Sequence, residues 1–343
     1  MANTNVPPGL IYTSDDQPGI TRKKHGKGFA YYYPNGEHIK KGKHLKRIQR
    51  IVIPPAWKNV WISPLENAHL QATGRDERKR KQYRYHELWI EFSKAQKYHQ
   101  LIEFARALPD IRKRYSLDLQ RSEWDYKKVA ALAVAIMDSL HLRIGNSYYS
   151  KENHTFGLTT LRRKHLNLKE DSLKLSFTGK TGRERNLKLE DNKLIRLIKE
   201  CSDLPGYEVF RYKKRGEICH LKSEDFNQYL RKTSNSEGIS AKDFRTWGAN
   251  VLCLEKAEAA KEAAENSRKT LENTLVKMVA KEMGHTISTC KSSYLHPTVL
   301  KFAVEATIPH DDISDILSGL DENENMLLSI LQSSESLTPQ GLG

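Results

Sequence analysis

His285 and Tyr294, which stand nine residues apart, are the pair of side chains in this sequence with the clearest chemical potential. A tyrosine hydroxyl is a weak nucleophile at neutral pH because it is almost fully protonated, so a reactive tyrosine needs cationic groups around it. By composition alone, a single tyrosine is far more often structural. A catalytic role for this pair therefore depends on Arg and Lys side chains elsewhere in the chain.

The residues around the pair predict how it is held. Gly284 favours a turn, and Thr286 or Ser288 is a suitable cap for a short helix that carries Tyr294. Pro297 is then expected to end that helix from beyond its last residue. This arrangement places the histidine at the turn and the tyrosine on the helix.

Three cations elsewhere match what the tyrosine lacks. Arg143 precedes a glycine at the end of a predicted helix, where its guanidinium can project from the terminus, Arg245 lies near an aromatic-flanked helix start, and Lys180 occupies a predicted hairpin tip. Taken singly, each is better explained as a surface cation. Together they fit attack of a tyrosine oxygen on a phosphodiester, because two guanidiniums and the His285 N–H can stabilise the charge on the non-bridging oxygens without a metal. A flexible lysine is a suitable donor of the proton that the leaving alkoxide needs.

The hairpin that carries this lysine is predicted from alternation. Residues 173–177 and 186–190 alternate in polarity on either side of a Thr-Gly-Lys-Thr-Gly turn, which puts Lys180 at the tip. The Gly-Lys-Thr tripeptide suggests a phosphate-binding loop, but that motif requires a glycine where Lys174 stands. We therefore expect no nucleotide cofactor.

The sequence pattern changes near residue 90. Before that point, clusters of aromatic and β-branched residues at 29–33 and 48–53 predict short strands. After it, apolar residues recur at helical spacing, notably over 101–108 and 129–140. We expect the domain boundary at this change of pattern.

These patterns predict an α+β protein. Residues 1–90 are expected to form a small β-rich N-terminal domain, and residues 91–310 a larger, mainly α-helical catalytic domain with one clear β-hairpin. Asp110 and Ser122 are suitable helix caps, and a long helix rich in Ala, Glu and Lys is predicted over residues 254–270.

Residues 311–343 form an acidic C-terminal tail with seven carboxylates and no Lys or Arg. Helical spacing of apolar residues from Ile313 to Leu320, and a second apolar group from Met326 to Leu331, predict one or two amphipathic helices. Packing of the tail on the catalytic domain is the interpretation that its apolar content favours. Competition with DNA for the basic surface and binding of a partner are the alternatives.

The charge balance points to a polyanion. The chain has a net charge of +15, so residues 1–310 without the acidic tail carry +22. A domain this basic is expected to bind double-stranded DNA with a strong salt dependence, and an anionic membrane surface is the rival partner. No apolar run approaches the length that spans a bilayer, and the first thirty residues lack the apolar core of a signal peptide. We expect a cytoplasmic protein without membrane contact, nucleoid-associated if bacterial, and a monomer.

Two stretches of the N-terminal domain are suited to DNA. Residues 22–50 contain ten Lys or Arg and a single carboxylate, Glu37, which favours contact with phosphates. The segment 71–86 interleaves cations with side chains that can bond base edges or contact sugars. Its candidate DNA-binding residues are Arg80, Gln82, Tyr83 and Tyr85.

The four cysteines are widely spaced, without a C-x-x-C pair. This spacing argues against both a zinc site and a disulfide framework, so we expect reduced thiols and no metal. Cys290 is close to Tyr294 in sequence, but thiol chemistry there is the less favoured interpretation because free cysteines are commonly buried.

In combination, these segments resemble a known family. The similarity lies in Arg143-Ile-Gly-Asn, Thr178-Gly-Lys180, Lys242-Asp-Phe-Arg245-Thr-Trp, Gly284-His285-Thr and Ser293-Tyr294-Leu-His-Pro, in that order. The chain resembles the short type IB DNA topoisomerases of poxviruses and bacteria over about residues 28 to 305. The segments Pro54-Pro-Ala-Trp and Gln82-Tyr-Arg-Tyr85 add to the resemblance.

This resemblance implies a mechanism. Tyr294 attacks duplex DNA and forms a 3′-phosphotyrosyl link, while Arg143, Arg245 and His285 contact the scissile phosphate and Lys180 acts as general acid. The freed 5′-hydroxyl strand rotates before religation, without ATP or Mg²⁺ because the covalent link stores the energy.

The resemblance also implies the catalytic fold shared by tyrosine recombinases and type IB topoisomerases, in which two domains clamp around DNA. Gln82, Tyr83 and Tyr85 then face the major groove, and Tyr149 and Lys242 contact DNA near the cleavage site.

Two alternatives remain at this stage. Tyrosine recombinases share the Arg, Lys, Gly-His and Tyr set, but they typically carry a histidine three positions before the second arginine, where Lys242 stands here. A non-catalytic basic DNA-binding protein is expected to lack the nucleophile or the acid, and all five catalytic positions are filled.

Overall fold

The computed structural model of the chain describes residues 6–169, 172–265, 270–305 and 316–336, apart from the side chains of residues 149, 181, 335 and 336. The chain divides into two compact units between Lys97 and Tyr98. The division lies beyond the change of sequence pattern near residue 90. It falls inside a helix that begins at Glu87. Each unit is described by itself below.

An antiparallel five-stranded sheet, with strand order β2-β1-β3-β4-β5, organises the first unit. Its small core is built from isoleucine, valine and alanine side chains. The predicted strand at 29–33 is confirmed by β2. The elements of this unit are β1 (Ile20–His25), β2 (Gly28–Tyr32), α1 (Lys43–Arg50), β3 (Lys58–Ile62), β4 (Leu70–Arg75) and β5 (Lys81–Tyr85).

The predicted strand over residues 48–53 is wrong, because α1 begins at Lys43 and continues to Arg50, so that residues 48–50 are helical. Leu45, Ile48 and Ile51 recur every three residues and face the same small core. This is the spacing of one helix face. Lys46, Gln49 and Arg50 face solvent, whereas Arg47 donates hydrogen bonds to the Ser63 and Leu65 carbonyls and to the Gln71 side chain. The following prolines then end the helical run.

A 32-residue helix, α2 (Glu87–Asp118), contains the point at which the units divide. The predicted cap at Asp110 is wrong, because α2 continues through Pro109 and Asp110 without a break. The next helix, α3 (Tyr126–Leu140), is capped by Asp125, whose carboxylate accepts a hydrogen bond from the Lys128 N–H, and not by Ser122.

The second unit has one continuous core around α3 and α7. Its strands form the three-stranded sheet β6-β7-β8 and the hairpin β9-β10. After α3 its elements are α4 (Ser147–Glu152), β6 (Leu166–Leu168), β7 (Leu173–Thr178), β8 (Glu184–Leu189), α5 (Asn192–Ser202), β9 (Arg211–Lys214), β10 (Glu217–His220), α6 (Ser223–Ser234), α7 (Ala241–Glu255), α8 (Ala257–Glu265), α9 (Leu271–Met283), α10 (Ile287–Ser293), α11 (Pro297–Glu305) and α12 (Glu322–Ser336).

Two details of this unit differ from the sequence predictions. The hairpin β9-β10, which turns at Arg215 and Gly216 with positive φ at both, is additional to the one predicted. The predicted long helix at 254–270 is wrong as one element, because α7 ends at Glu255 and α8 begins at Ala257. Residues 266–269 of that prediction lie outside the described part of the chain.

The described part of the acidic tail is packed into the second core. Leu327, Leu328, Ile330 and Leu331 of α12 are all buried, so the predicted packing of this apolar group is confirmed. Residues 316–320 form a turn and not the predicted helix, and Ile313 lies outside the described residues.

At the level of fold class, the molecule is a mixed α/β protein with an N-terminal sheet and a helical C-terminal region. Among the described residues, no helix is both long and apolar enough to cross a membrane.

Candidate active site

The turn between α9 and α10 carries His285. Gly284 ends α9 in the left-handed conformation, with φ of 66°, and its N–H bonds the Ala280 and Lys281 carbonyls. Thr286 then caps α10 by accepting a hydrogen bond from the Thr289 N–H. A turn at Gly284 and a cap at Thr286 are both as predicted from the sequence.

Tyr294 differs from its predicted place. It is the residue immediately after α10, and Pro297 is the first residue of α11 instead of the end of α10. Proline is favoured at the first position of a helix because a backbone N–H there has no partner within the helix, so that proline, which lacks the N–H, loses no hydrogen bond. Tyr294 therefore lies in the short connection between two helices.

Asn250 of α7 holds that connection on both sides of the tyrosine. Its amide donates to the Tyr294 carbonyl at 2.9 Å, and its side-chain oxygen accepts from the His296 N–H at 2.8 Å. Asn250 is fully buried. The backbone of the tyrosine is thus tied to the central helix of the unit by a residue that the sequence did not single out.

The side chains of His285, Tyr294 and two arginines converge. The imidazole and phenol rings stack with centroids 3.8 Å apart and planes at 29°. The Tyr294 side chain interacts with both Arg143 and Arg245, and the guanidinium carbon of Arg245 lies 5.7 Å from the centre of the phenol ring. The structure therefore brings together four of the five predicted catalytic residues.

Arg143 lies on an extended segment after α3, and not at the helix terminus as predicted. His141 ends α3 in the left-handed conformation, and Arg143 follows two residues later. The Arg143 carbonyl accepts from the Leu158 N–H at 2.8 Å. A Cβ at Gly157 would lie 2.5 Å from that carbonyl oxygen, so glycine is needed for this close approach.

Arg245 is buried on the first turns of α7, with 4% of its surface exposed. Its guanidinium donates to the His141 carbonyl and, at 3.1 Å, to the Met283 carbonyl. Burial and the nearby charge of Arg143 lower the pKa of Arg245 to about 10. The side chain remains a cation at neutral pH, but its charge is held in an unfavourable environment.

His285 is also buried, and its Nε2 lies against the Arg245 guanidinium. Burial and the charges of Arg245, Arg143, Arg185 and Arg183 lower its pKa to about 3, so the imidazole is neutral at physiological pH. Because Arg245 is an obligate donor, we assign Nε2 as the acceptor and the ring proton to Nδ1. Nδ1 is buried without a hydrogen-bond partner among the described residues.

Two further arginines reach the same turn and were missed by the sequence analysis. Arg183 donates to the His285 carbonyl at 2.7 Å, and Arg185 donates to the Glu282 carbonyl at 2.8 Å. Both follow the hairpin tip, Arg183 directly before β8 and Arg185 within it. Both lie before the predicted strand at 186–190, and their spacing of two residues was the available signal, since an extension of that strand towards the turn places two cations on one face.

Lys180 begins a short 3₁₀ turn, Lys180–Gly182, between β7 and β8. The predicted hairpin is confirmed, and the lysine is exposed at its tip.

The candidate DNA-binding residues of the first unit lie on or beside β5. Arg80 and Gln82 both bond the Asp76 carboxylate, at 2.7 Å and 3.0 Å. Tyr83 and Tyr85 stack with ring centroids 5.9 Å apart and are both exposed. In this unit the structure therefore brings together all four predicted residues on one strand and its preceding turn.

The other two candidates belong to the second unit. Lys242 is exposed on the first turn of α7, three residues before Arg245. Tyr149 lies in α4, and its side chain is outside the described part of the structure.

Among the residues that the structure describes, no group of three or more His, Cys, Asp or Glu side chains is arranged to hold a metal ion. All four cysteines are unpaired. Burial raises the pKa of the Cys290 thiol to about 11, so the residue beside the tyrosine connection is a protonated thiol.

Comparisons with known proteins cover most of the chain. Residues 80–308 match the family model of the eukaryotic DNA topoisomerase I catalytic core, and residues 28–76 match that of the bacterial DNA topoisomerase IB N-terminal domain. DNA topoisomerase 1B of Acanthamoeba polyphaga mimivirus is 32% identical over 287 residues, which cover 81% of this chain and 85% of the viral protein. DNA topoisomerase 1B of Vaccinia virus (strain Copenhagen) is 25% identical, over 77% of this chain and 80% of the viral protein. The chain therefore belongs to the type IB DNA topoisomerase family.

Proposed function

We propose that this chain relaxes supercoiled duplex DNA by cutting and rejoining one strand through Tyr294. The observation that carries the proposal is the convergence of Arg143, Arg245 and the neutral His285 on the Tyr294 side chain, with the imidazole stacked on the phenol ring. A phosphodiester that approaches the hydroxyl meets the same guanidiniums. The nucleophile and the groups that stabilise the transition state are thus assembled around one point.

In the cleavage step, the Tyr294 hydroxyl releases its proton to solvent as its oxygen forms a bond to the scissile phosphorus, and the bond from phosphorus to the 5′-oxygen breaks. Arg143 and Arg245 stabilise the charge on the non-bridging oxygens. Lys180 supplies the proton that the departing 5′-oxygen takes up. Religation is the reverse reaction, so the 3′-phosphotyrosyl bond preserves the energy of the broken phosphodiester.

His285 is a hydrogen-bond donor to a phosphate oxygen in this proposal, not the base that removes the tyrosine proton. A base with a pKa of about 3 takes up a proton poorly at neutral pH. A neutral imidazole still carries one N–H. This N–H can donate a hydrogen bond to a phosphate oxygen without any change in the charge of the ring. Donation from Nε2 requires the ring proton to move from Nδ1 when Arg245 turns to the phosphate.

The units that precede and follow Lys97 are proposed to clamp around the duplex. Gln82, Tyr83 and Tyr85 contact the major groove, with Arg80 on the backbone, while Tyr149 and Lys242 contact DNA near the cleavage site. Asp76 holds two of these side chains in the absence of DNA, so DNA must displace its carboxylate. The protein acts as a monomer and uses neither ATP nor a metal ion.

Plasmid relaxation tests the proposal. Wild-type protein is expected to relax negatively supercoiled plasmid at low salt in EDTA without ATP, and Tyr294→Phe is expected to bind the plasmid but form no covalent adduct. Absence of relaxation by the wild type contradicts the function, and an adduct that survives denaturation in Tyr294→Phe assigns the nucleophile elsewhere. The same proteins assayed for strand exchange between paired sites distinguish relaxation from recombination.

A further inference from the structure

Four successive backbone carbonyls at the end of α9 each accept a hydrogen bond from a different arginine. The acceptors run from Glu282 to His285. In that order, the donors and distances are Arg185 at 2.8 Å, Arg245 at 3.1 Å, Arg143 at 3.5 Å and Arg183 at 2.7 Å.

The acceptors explain why guanidiniums gather at this point. The last carbonyls of a helix lack partners within the helix and lie at the negative end of its dipole. Cations are therefore favoured at the end of α9. Arg143 and Arg245 also interact with the Tyr294 side chain, which accounts for their presence in the site. Arg183 and Arg185 have no role in the chemistry described so far.

Arg185 occupies space that only a glycine leaves open. A Cβ on Gly284 would lie 2.3 Å from the Arg185 Nη1, so a side chain there would displace the guanidinium. Arg185 is 9% exposed, and burial together with the charge of Arg143 lowers its pKa. An apolar side chain would anchor the strand without burying a charge beside another cation. The use of arginine here therefore calls for a function beyond packing.

The hairpin supplies that function, because the same chain segment carries Lys180. Arg183 directly follows the 3₁₀ turn that begins at Lys180, and the Gly179 N–H closes the tip by donating to the Arg183 carbonyl at 2.7 Å. Arg183 thus ties the base of the tip to His285, and Arg185 ties the next residue on the same face to Glu282. The two bonds fix the hairpin to the turn that carries the histidine.

We propose that Arg183 and Arg185 are positioning residues that register Lys180 on its hairpin against the α9–α10 turn, so that the proton donor and the nucleophile share one frame. This proposal rests on the proposed function, in which Lys180 is the general acid. Neither arginine needs to touch the DNA. Their removal is expected to impair proton donation more than attack by the tyrosine.

The test compares single-turnover cleavage of two duplexes, one with the natural 5′-bridging oxygen and one with sulfur at that position. A thiolate leaves without a proton, so a defect in proton donation disappears on the sulfur duplex. The variants are Arg183→Ala, Arg183→Lys, Arg185→Lys and Lys180→Ala, alone and with Arg183→Ala added to Lys180→Ala. Lys188→Ala is the matched control, because Lys188 is an exposed cation on the same strand that pairs with Glu190.

On the oxygen duplex, Lys180→Ala is expected to cleave about 10³-fold more slowly than wild type and Arg183→Ala about 10²-fold more slowly. On the sulfur duplex, each is expected within about tenfold of wild type. Adding Arg183→Ala to Lys180→Ala should slow cleavage by less than about threefold, because the arginine acts through the lysine. Arg183→Lys should recover part of the rate that Arg183→Ala loses, Arg185→Lys should lose less on the oxygen duplex than Lys180→Ala, and Lys188→Ala should match wild type.

Equal losses for Arg183→Ala on both duplexes when sulfur does rescue Lys180→Ala, or independent multiplication of the two defects, overturn the positioning role. Arg183 is exposed, so loss of folding is not expected to obscure the result, and circular dichroism of each variant checks this. If sulfur fails to rescue Lys180→Ala, the general-acid assignment fails. The double variant then still decides the present proposal, because non-additive losses show that Arg183 acts through Lys180 whatever the lysine does.

Discussion

Arg112 lies partly buried between two carboxylates, whereas Arg245 lies buried among other arginines. Arg112 forms paired hydrogen bonds with Asp138, at 2.9 and 3.1 Å, and with Glu324, at 2.6 and 2.9 Å. Arg245 bonds backbone carbonyls and the neutral His285. The same side chain is thus used in two opposite environments within one folded unit.

The pKa values express the difference. Burial disfavours the charged form of Arg112, but the hydrogen bonds that it donates to Asp138 and Glu324 outweigh burial and raise the pKa of the guanidinium. Burial and Arg143 lower the pKa of Arg245. The first environment is satisfied within the protein, whereas in the proposed function the second is completed by a DNA phosphate. Charge at Arg112 thus supports the fold, while we propose that charge at Arg245 serves to bind phosphate.

The sharpest way to break this comparison is to remove Arg245. We expect Arg245→Ala to cleave duplex DNA about 10³-fold more slowly, because one of two guanidiniums is lost from the transition state. The free energy of unfolding should change by less than about 2 kcal/mol, since the three lost hydrogen bonds are offset by relief of repulsion from Arg143. Single-turnover cleavage and urea unfolding measure the two effects. Arg196→Ala, on the exposed face of α5, is the control, and cleavage by Arg245→Ala within tenfold of wild type would refute the role.

The converse change is Arg112→Met, which should affect stability more than chemistry. It leaves the Asp138 and Glu324 carboxylates partly buried without their cation, so we expect the free energy of unfolding to fall by about 3 kcal/mol. Urea unfolding at pH 7 measures the loss, with Lys113→Met on the exposed face of α2 as control. Cleavage by the folded variant should stay within about tenfold of wild type. A cleavage defect as large as that of Arg245→Ala, without loss of stability, would remove the distinction between the two environments.

A smaller effect tests the neutral imidazole of the arginine-rich site. The folded pKa of His285, about 3, lies below its ordinary value, so the unfolded chain takes up a proton first as the pH falls. The stability that depends on the neutral form is complete above about pH 6.5 and declines as the pH falls towards 3. We expect His285→Asn to remove about 3 kcal/mol of the loss that occurs between pH 6.5 and pH 4.

Urea unfolding across this pH range measures the slope. His99→Asn is the control, because His99 lies mostly exposed on α2. The burial-lowered pKa values of His141 and His165 act in the same direction, but both residues remain in all three proteins, so the difference between slopes isolates His285. An unchanged slope in His285→Asn would mean that the imidazole is not held neutral by its cationic neighbours.

Local patterns carried the part of the structure that depends on local physics. The hairpin around Lys180 follows from alternation and turn residues. The end of α9 follows from Gly284, and the start of α10 follows from Thr286. Residues 48–53 show the limit, because an isoleucine-rich run suits a strand and a buried helix face equally well. There the packing of Ile48 decided the outcome.

The candidate site was predictable in its members but not in its connections. Arg183 and Arg185 bond backbone carbonyls about a hundred residues away, and Asn250 bonds backbone groups more than forty residues away. Since almost every residue has a backbone carbonyl and an N–H, the sequence does not indicate which of these groups is the partner. The neutral state of His285 depends on four guanidiniums brought together from three segments. Such features arise from tertiary packing and become visible only in three dimensions.

The two hydrogen bonds from Asn250 have a mechanical consequence for the covalent intermediate. A rotating DNA strand exerts torque, and in the proposed cycle the strand that remains attached is linked to the protein through the side chain of Tyr294. Because Asn250 grips the backbone at the Tyr294 carbonyl and the His296 N–H, the pull passes directly into α7 and the core around it. Asn250 thus attaches the connection to α7, so that a residue in this short connection can bear tension without unwinding the helices on either side.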